Sequence, residues 1–309
     1  MRYVVLGLIL LVSWMSALCI PQEQLIQDAK TAYENDDYST AFTRFKTLAD
    51  QKNPMAQYVV CVMYDNGYGV TENATEAIRW CRLSAGQGYA SALDKMGVLY
   101  QGGEDGLTKD YTEAIRWFQL AVAQGLASAQ RNLASMYVLG HGVPQDYKEA
   151  LRLFQLAASQ GDATAQFDIG TLYSSGKGVP LDMTAALKWY RSAAELGKAE
   201  AQYNVGVIYA KGKGIPQDYD KAYEWFSKGA EQGDVGSLYF VGSMQVVGNG
   251  TPQNHIAAYE YLSLAAKRGH ERAVDELVFL KAKMSASEVV QAEALAASWS
   301  PMRRKDLPW

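Results

Sequence analysis

Few residues of this chain have the types and spacing that a chemical reaction requires. Cys61 and Cys81 lie 20 residues apart and could form a disulfide. The three histidines, His141, His255 and His270, are not paired with Cys, His or Glu at the spacing of metal ligands. No nucleophile elbow, phosphate loop or zincin motif is present. We therefore predict no catalytic residue, no metal site and no cofactor.

The glycine pairs, such as Gly212-Lys213-Gly214, resemble phosphate loops but belong to a repeat. A pattern of about 36 residues occurs six times, and these repeats, numbered one to six, end at Gly88, Gly125, Gly161, Gly197, Gly233 and Gly269. A period of this size predicts stacked two-helix units, in which the glycine pairs are turns. Such an array is typical of binding rather than catalysis.

Repeat four shows how one unit is expected to fold. Apolar residues at helical spacing predict a first helix that ends at Gly176, because glycine readily adopts the left-handed conformation. Asp182 is the expected N-cap of the second helix. In three repeats a glutamate follows the cap residue by three positions, which predicts capping boxes with Glu76, Glu113 and Glu149.

Comparison of the repeats by position gives the two cysteines a structural role. The position of Cys61 holds glycine or alanine in the other five repeats, and the position of Cys81 holds phenylalanine, tyrosine or leucine. A small residue opposite a bulky one indicates close contact between the two helices. Both positions change together in repeat one, which predicts a disulfide in an oxidising compartment. The alternative is a pair of buried free thiols.

The ends of the chain differ from the repeats. Residues 1–19 have the basic start, apolar run and small residues of a signal peptide, which predicts export to the periplasm or secretion. Lipidation at Cys19 and an uncleaved membrane anchor stay open. Residues 20–52 predict a degenerate tetratricopeptide-like helix pair, 53–269 the six repeats, 270–299 capping helices with a capping box at Ser285 and Glu288, and 300–309 a basic tail. The net charge of −4, without a basic stripe, argues against nucleic-acid binding.

The repeat pattern resembles a known family. Ala-Gln-x-x-hydrophobic-Gly-x-x-Tyr is followed by Gly-x-Gly-Val-Pro-x-Asp and by Ala-x-x-Trp-Tyr/Phe-x-x-Ala-Ala-x-x-Gly, a combination similar to that of Sel1-like repeats. The resemblance implies an all-α, right-handed superhelical solenoid of antiparallel helix pairs. It also implies an adaptor in envelope assembly, signalling or host interaction, as in exported bacterial members. A cysteine-rich subgroup described as penicillin-binding fits less well, because this chain has one candidate cysteine pair.

One variable position on the first helices is the predicted binding row. First helices line the concave face of such solenoids, which is the usual peptide-binding surface. The row comprises Tyr58, Asp94, Arg131, Phe167, Tyr203 and Tyr239. Aromatic anchors with an acid and a base suit an extended peptide of a partner protein. The alternative is that these side chains pack between neighbouring repeats. A second hypothesis for the whole chain is a cell-wall (penicillin or muropeptide) binding protein or an envelope enzyme.

Overall fold

The computed structural model describes residues 21–103 and 107–301, and its regular structure there is entirely helical. The predicted all-α class of antiparallel helix pairs is confirmed. The predicted signal peptide of 1–19 and the basic residues of the tail lie outside the described residues. The sixteen described helices are α1 Gln22–Glu34, α2 Tyr38–Asp50, α3 Pro54–Asn66, α4 Ala74–Gly86, α5 Ala90–Gly102, α6 Tyr111–Ala123, α7 Ala127–Leu139, α8 Tyr147–Ser159, α9 Ala163–Ser175, α10 Met183–Glu195, α11 Ala199–Lys211, α12 Tyr219–Glu231, α13 Val235–Val247, α14 His255–Lys267, α15 Glu271–Lys281 and α16 Ala286–Ser298.

The helices fall into two units, the first ending at Ala129 and the second beginning at Gln130. In the first unit α1 packs on α2, α3 on α4 and α5 on α6. In the second unit the pairs α9 with α10, α11 with α12 and α13 with α14 follow the same plan. At its end α15 and α16 both pack against α14, as expected of helices that close a repeat array.

Local signals set the bounds of each helix, as repeat four illustrates. Oδ1 of Asp162 accepts from the amide of Ala165 over 2.8 Å and caps α9. The helix ends at Gly176, whose φ of +68° is left-handed. Asp182 then caps α10 by accepting from the amides of Thr184 and Ala185. The turn at Gly176 and the cap at Asp182 agree with the sequence prediction.

The second glycine of the loop in repeat four makes a contact that joins neighbouring repeats. Gly178 has a φ of +73°, and a Cβ atom added to it would lie 2.4 Å from Cβ of Tyr147 in the preceding repeat. Glycine is therefore needed twice over, for its backbone conformation and for the close approach.

The capping boxes expected at Glu76, Glu113 and Glu149 do not form, and that prediction is wrong. The cap residue Asn73 already donates its own amide to the carbonyl of Tyr64 over 3.0 Å, so the glutamate has no free donor to reach back to. Glu76 accepts instead from Arg79 over 2.9 Å. Glu113 and Glu149 likewise form ion pairs three residues onward, with Arg116 and Arg152. The capping box at Ser285 and Glu288 is present.

Small residues opposite rings bring the two helices of a repeat together. A Cβ atom added to Gly206 on α11 would lie 2.7 Å from the ring of Phe226 on α12. Both residues of this pair are buried. Among the described helices, none is at once long enough and apolar enough to cross a bilayer.

Candidate partner-binding surface

The structure joins Cys61 of α3 and Cys81 of α4 by a disulfide, with their Cα atoms 5.3 Å apart. Both side chains are fully buried, so this bond stabilises the first repeat, and neither of these two cysteines is a free thiol. In residues 21–103 and 107–301, no group of three or more His, Cys, Asp or Glu side chains is placed to hold a metal ion.

The two row residues of the first unit contact the repeat that follows each of them. The ring of Tyr58 lies 5.6 Å from that of Tyr89, centroid to centroid. Burial, with a smaller contribution from the negative charge of Asp94, raises the pKa of Tyr58 to about 12. Asp94 accepts a hydrogen bond from the hydroxyl of Ser128 over 2.7 Å. Both row residues stay partly exposed.

Two row residues of the second unit make ionic or cation–π contacts with the next repeat. Nε of Arg131 donates to Oδ2 of Asp162 over 3.0 Å. Nζ of Lys198 lies 5.4 Å from the centre of the Phe167 ring, within the range of a cation–π contact. Phe167 also packs on Tyr190 of its own repeat.

The last two row residues contact rings. Tyr203 lies 6.0 Å from Phe240 of the next repeat, and Tyr239 stacks on His270 at 4.2 Å, centroid to centroid. The pKa of both tyrosines is raised, and burial is the largest cause in each case. The row side chains thus pack between neighbouring repeats, as the alternative interpretation held, while part of each remains exposed. Their role in partner binding stays a prediction.

Two grooves lie beside the row, each between the first helices of consecutive repeats in the second unit. The first groove, between α7 and α9, is a cavity of about 190 Å³ lined by Ser135, Val138, Leu139, Phe154, Asp168, Thr171 and Leu172. The second groove, between α11 and α13, is a cavity of about 250 Å³, and its lining includes Val207, Lys211, Phe240, Ser243 and Val247. Leu139 and Lys211 hold the same position in their repeats.

A shallower depression adjoins the second groove and contains two of the predicted row residues. Tyr203 and Tyr239 line it together with Lys211, His270 and Arg272. Lys211 and Arg272 are exposed cations, whereas the rings are half-buried. The arrangement offers fixed aromatic surface with charge at its rim, which is the composition of many protein-binding surfaces.

Asp168 gives the first groove an unusual electrostatic character. Its desolvation raises the pKa of the carboxyl from 3.8 to about 6. The positive charges of Arg131 and Lys198 oppose this shift, and the negative charge of Asp162 adds to it. A half-buried carboxylate beside Val138 and Leu172 is therefore costly to keep ionised.

Sequence reasoning missed Asp168, although a signal was available. Its position, one residue after the row, reads Val59, Lys95, Asn132, Asp168, Asn204 and Phe240, and so varies as much as the row itself. What the sequence could not show is that this side chain lines a groove, because the approach of neighbouring first helices depends on how the repeats stack.

The fold identifies the general class of this protein. Tandem pairs of antiparallel 13-residue helices, closed by capped turns, are the architecture of a helical-repeat protein of the tetratricopeptide type. The Sel1 repeat matches six consecutive segments, 54–89, 90–126, 127–162, 163–198, 199–234 and 235–270, which together make up more than half of the chain. The chain therefore belongs to the Sel1 repeat family, and the resemblance predicted from the sequence is confirmed.

The chain is also similar to proteins of solved structure. A Sel1 repeat protein from Oxalobacter formigenes is 32% identical, with a TM-score of 0.73 over 79% of this chain and 99% of that one. A putative Sel1 repeat protein from Klebsiella pneumoniae is 23% identical over 66% of this chain and 99% of that one, with a TM-score of 0.43. A protective antigen of uropathogenic Escherichia coli is 23% identical over 89% of this chain and 83% of that one, with a TM-score of 0.34. No curated protein matches the chain.

Proposed function

We propose that the chain is an exported scaffold, and that it binds a segment of a partner protein on the surface formed by its first helices. Sel1 repeat proteins generally mediate protein–protein interactions, and the fold is typical of scaffolds rather than enzymes. The observation that carries the proposal is the pair of grooves between α7 and α9 and between α11 and α13, beside Phe167 and Tyr203. Small apolar cavities bordered by fixed rings suit the side chains of an extended segment.

Export is the second element of the proposal. The composition of residues 1–19 supports it, and so does the buried disulfide of repeat one, since such bonds persist in oxidising compartments. We propose a role in envelope assembly, signalling or host interaction. Intact mass spectrometry of the protein from cell fractions tests export: cleavage after Cys19 leaves Ile20 at the N-terminus, and a cytoplasmic protein with reduced cysteines contradicts the proposal.

Site-specific photocrosslinking in the source organism tests partner binding. A benzophenone amino acid replaces Leu139 or Lys211, which are exposed and hold equivalent positions in the two grooves. Matched control sites are Gln155 on α8 and Glu224 on α12, which are exposed on second helices. We expect one protein to be crosslinked from both groove positions and not from the controls.

Two outcomes would overturn the assignment of the surface. If the control positions crosslink the same protein with equal yield, the partner does not sit on the first helices. If Leu139 and Lys211 give no crosslink while the protein is folded and abundant, the grooves do not serve partner binding.

A further inference from the structure

We propose that the groove between α7 and α9 binds the ammonium group of a lysine side chain, with Asp168 as its counter-ion. This inference deepens the proposed function and rests on it, because the lysine would belong to the bound partner segment. Charge complementarity points to this occupant: the groove presents a carboxylate among apolar walls.

The polar atoms of the groove are acceptors. The hydroxyl of Ser135 donates to the carbonyl of Arg131 over 3.0 Å, and that of Thr171 donates to the carbonyl of Phe167 over 3.2 Å. Oγ1 of Thr171 also lies 3.1 Å from the hydroxyl of Tyr190. Whichever of these two hydroxyls donates to the other, the oxygens of Ser135 and Thr171 each keep at least one lone pair. Together with the carboxylate of Asp168 they form three acceptor groups, and an ammonium group has three N–H donors.

The remaining walls suit an aliphatic stem. Val138, Leu139 and Leu172 line the cavity of about 190 Å³, and Leu139 is 55% exposed at its mouth. Lysine buries its methylene groups along apolar surface and places its charge at the end. The one ring in the lining, Phe154, is 2% exposed, so a guanidinium group would find no face to stack on.

The charge of Asp168 is not needed for the fold. At the same position the repeats before and after carry Asn132 and Asn204, which are neutral and similar in shape. Within residues 21–103 and 107–301, no hydrogen bond or ion pair joins Asp168 to another side chain. Arg131 and Lys198, whose charges lower the pKa of Asp168, are instead paired with Asp162 and Glu200.

A desolvated carboxylate without a partner costs free energy of folding, and an asparagine at this position would avoid that cost. The raised pKa of Asp168 reflects the same cost. An acid that the repeat does not require, placed at a groove and left without an ion pair, is explained by a cation that arrives from outside.

A lysine fragment tests the site without the partner. Nα-acetyl-lysine methylamide is titrated into the isotope-labelled, disulfide-bonded protein at neutral pH and low salt, and amide chemical shifts are followed by NMR. We expect saturable shifts at Ser135, Thr171 and Leu172, with a Kd on the order of 1 mM for a fragment of this size. The norleucine analogue, which lacks the ammonium group, should bind about tenfold more weakly.

Two variants separate the charge of Asp168 from general electrostatics. Asp168→Asn introduces the residue of the neighbouring repeats and should weaken the lysine fragment about tenfold while leaving norleucine binding unchanged. Asp220→Asn removes an exposed acid of α12 and should change neither. Equal binding of the lysine fragment by the wild-type protein and Asp168→Asn would overturn the proposal, as would tighter binding of the arginine analogue.

The two proposals fail in different ways. If the fragment does not bind in the groove but Leu139 and Lys211 still crosslink a partner, the lysine site is wrong and the scaffold stands. If the fragment binds but neither position crosslinks a protein, the cation site is correct and the scaffold assignment is wrong.

Discussion

Arg131 and Ala165 share the two oxygens of one carboxylate: Oδ2 of Asp162 accepts from Nε of the arginine over 3.0 Å, and Oδ1 accepts from the amide of the alanine over 2.8 Å. The residue that caps the first helix of repeat four therefore also anchors repeat three. Phe167 and Tyr239 reach the equivalent N-cap residues of α11 and α15, which are Lys198 and His270. These row residues therefore hold neighbouring units of the array together, whether or not they also bind a partner.

Arg131→Met should destabilise the second unit. The ion pair with Asp162 is mostly shielded, with 28% and 14% of the two side chains exposed, so its loss should cost about 1–2 kcal/mol. Urea unfolding followed by circular dichroism measures the cost. The matched control is Arg152→Met, which breaks a more exposed pair with Glu149 and should cost less than about 0.5 kcal/mol. Equal losses of unfolding free energy in the two variants would show that the ion pair between repeats stabilises the protein no more than an exposed pair within one helix.

Tyr203→Ala should also destabilise the protein, because the ring contacts Phe226 and Phe240. Since the ring is half-buried, we expect a loss of about 2–3 kcal/mol. Tyr203→Phe keeps the ring and should cost less than about 1 kcal/mol. Thermal unfolding of both variants measures the difference. A Tyr203→Ala protein as stable as the wild type would mean that the ring is a surface group, as a purely partner-binding row requires.

The repeat made most of the fold predictable. Positions that recur six times identify helices, turns and caps because each copy must satisfy the same backbone groups, as Asp182 and Gly176 do. The capping boxes failed for a reason outside any single helix: the amide of Asn73 finds its acceptor on Tyr64 of the preceding helix. Contacts between elements of this kind do not appear in a local pattern.

The candidate site was predictable only in part. Variation at the row position pointed to the first helices, and Tyr203 and Tyr239 do line a surface depression. Stacking then decides which atoms are exposed, and it placed the groove carboxylate at Asp168, one position beyond the row. Variation at one repeat position indicates which helix surface is a candidate binding site, whereas the distance between neighbouring first helices determines where a cavity forms.

Reduction of the Cys61–Cys81 disulfide should destabilise repeat one. The bond closes a loop of 20 residues, for which the chain-entropy model gives about 3 kcal/mol. Cys61→Ala with Cys81→Ala should lose this amount and more, because the small side chains leave a cavity at a fully buried site. Hydrogen exchange of the α3 and α4 amides, with and without reductant, reports the local loss.

The residue pair that other repeats carry at these two positions supplies a matched variant. Cys61→Gly with Cys81→Phe introduces the combination of Gly206 and Phe226, in which a ring fills the space beside a glycine. We expect this variant to be insensitive to reductant and more protected than the double alanine variant by about 1–3 kcal/mol. If the double alanine variant is the more protected of the two, repeat one has lost the packing that the other repeats share.

Asp168→Asn should stabilise the protein in a pH-dependent way. The pKa of the carboxyl is about 6 in the folded protein against 3.8 ordinarily, so folding favours its protonated form. That contribution is complete below about pH 4 and is lost as the pH rises through 6, because burial desolvates the charged form. The negative charge of Asp162 adds to this effect, and the positive charges of Arg131 and Lys198 oppose it. Asparagine is neutral throughout. The advantage of the variant should therefore grow from near zero at pH 4 to about 2 kcal/mol at pH 7, allowing for partial exposure.

Urea unfolding of the wild type and Asp168→Asn at a series of pH values measures this growth. Asp220→Asn, at an exposed site of α12, should show no gain between pH 4 and pH 7. Addition of the lysine fragment should reduce the advantage of Asp168→Asn at neutral pH, since a bound cation compensates the carboxylate of the wild type alone. An advantage that is constant with pH would show that asparagine merely packs better, and that the charge of Asp168 costs the fold nothing.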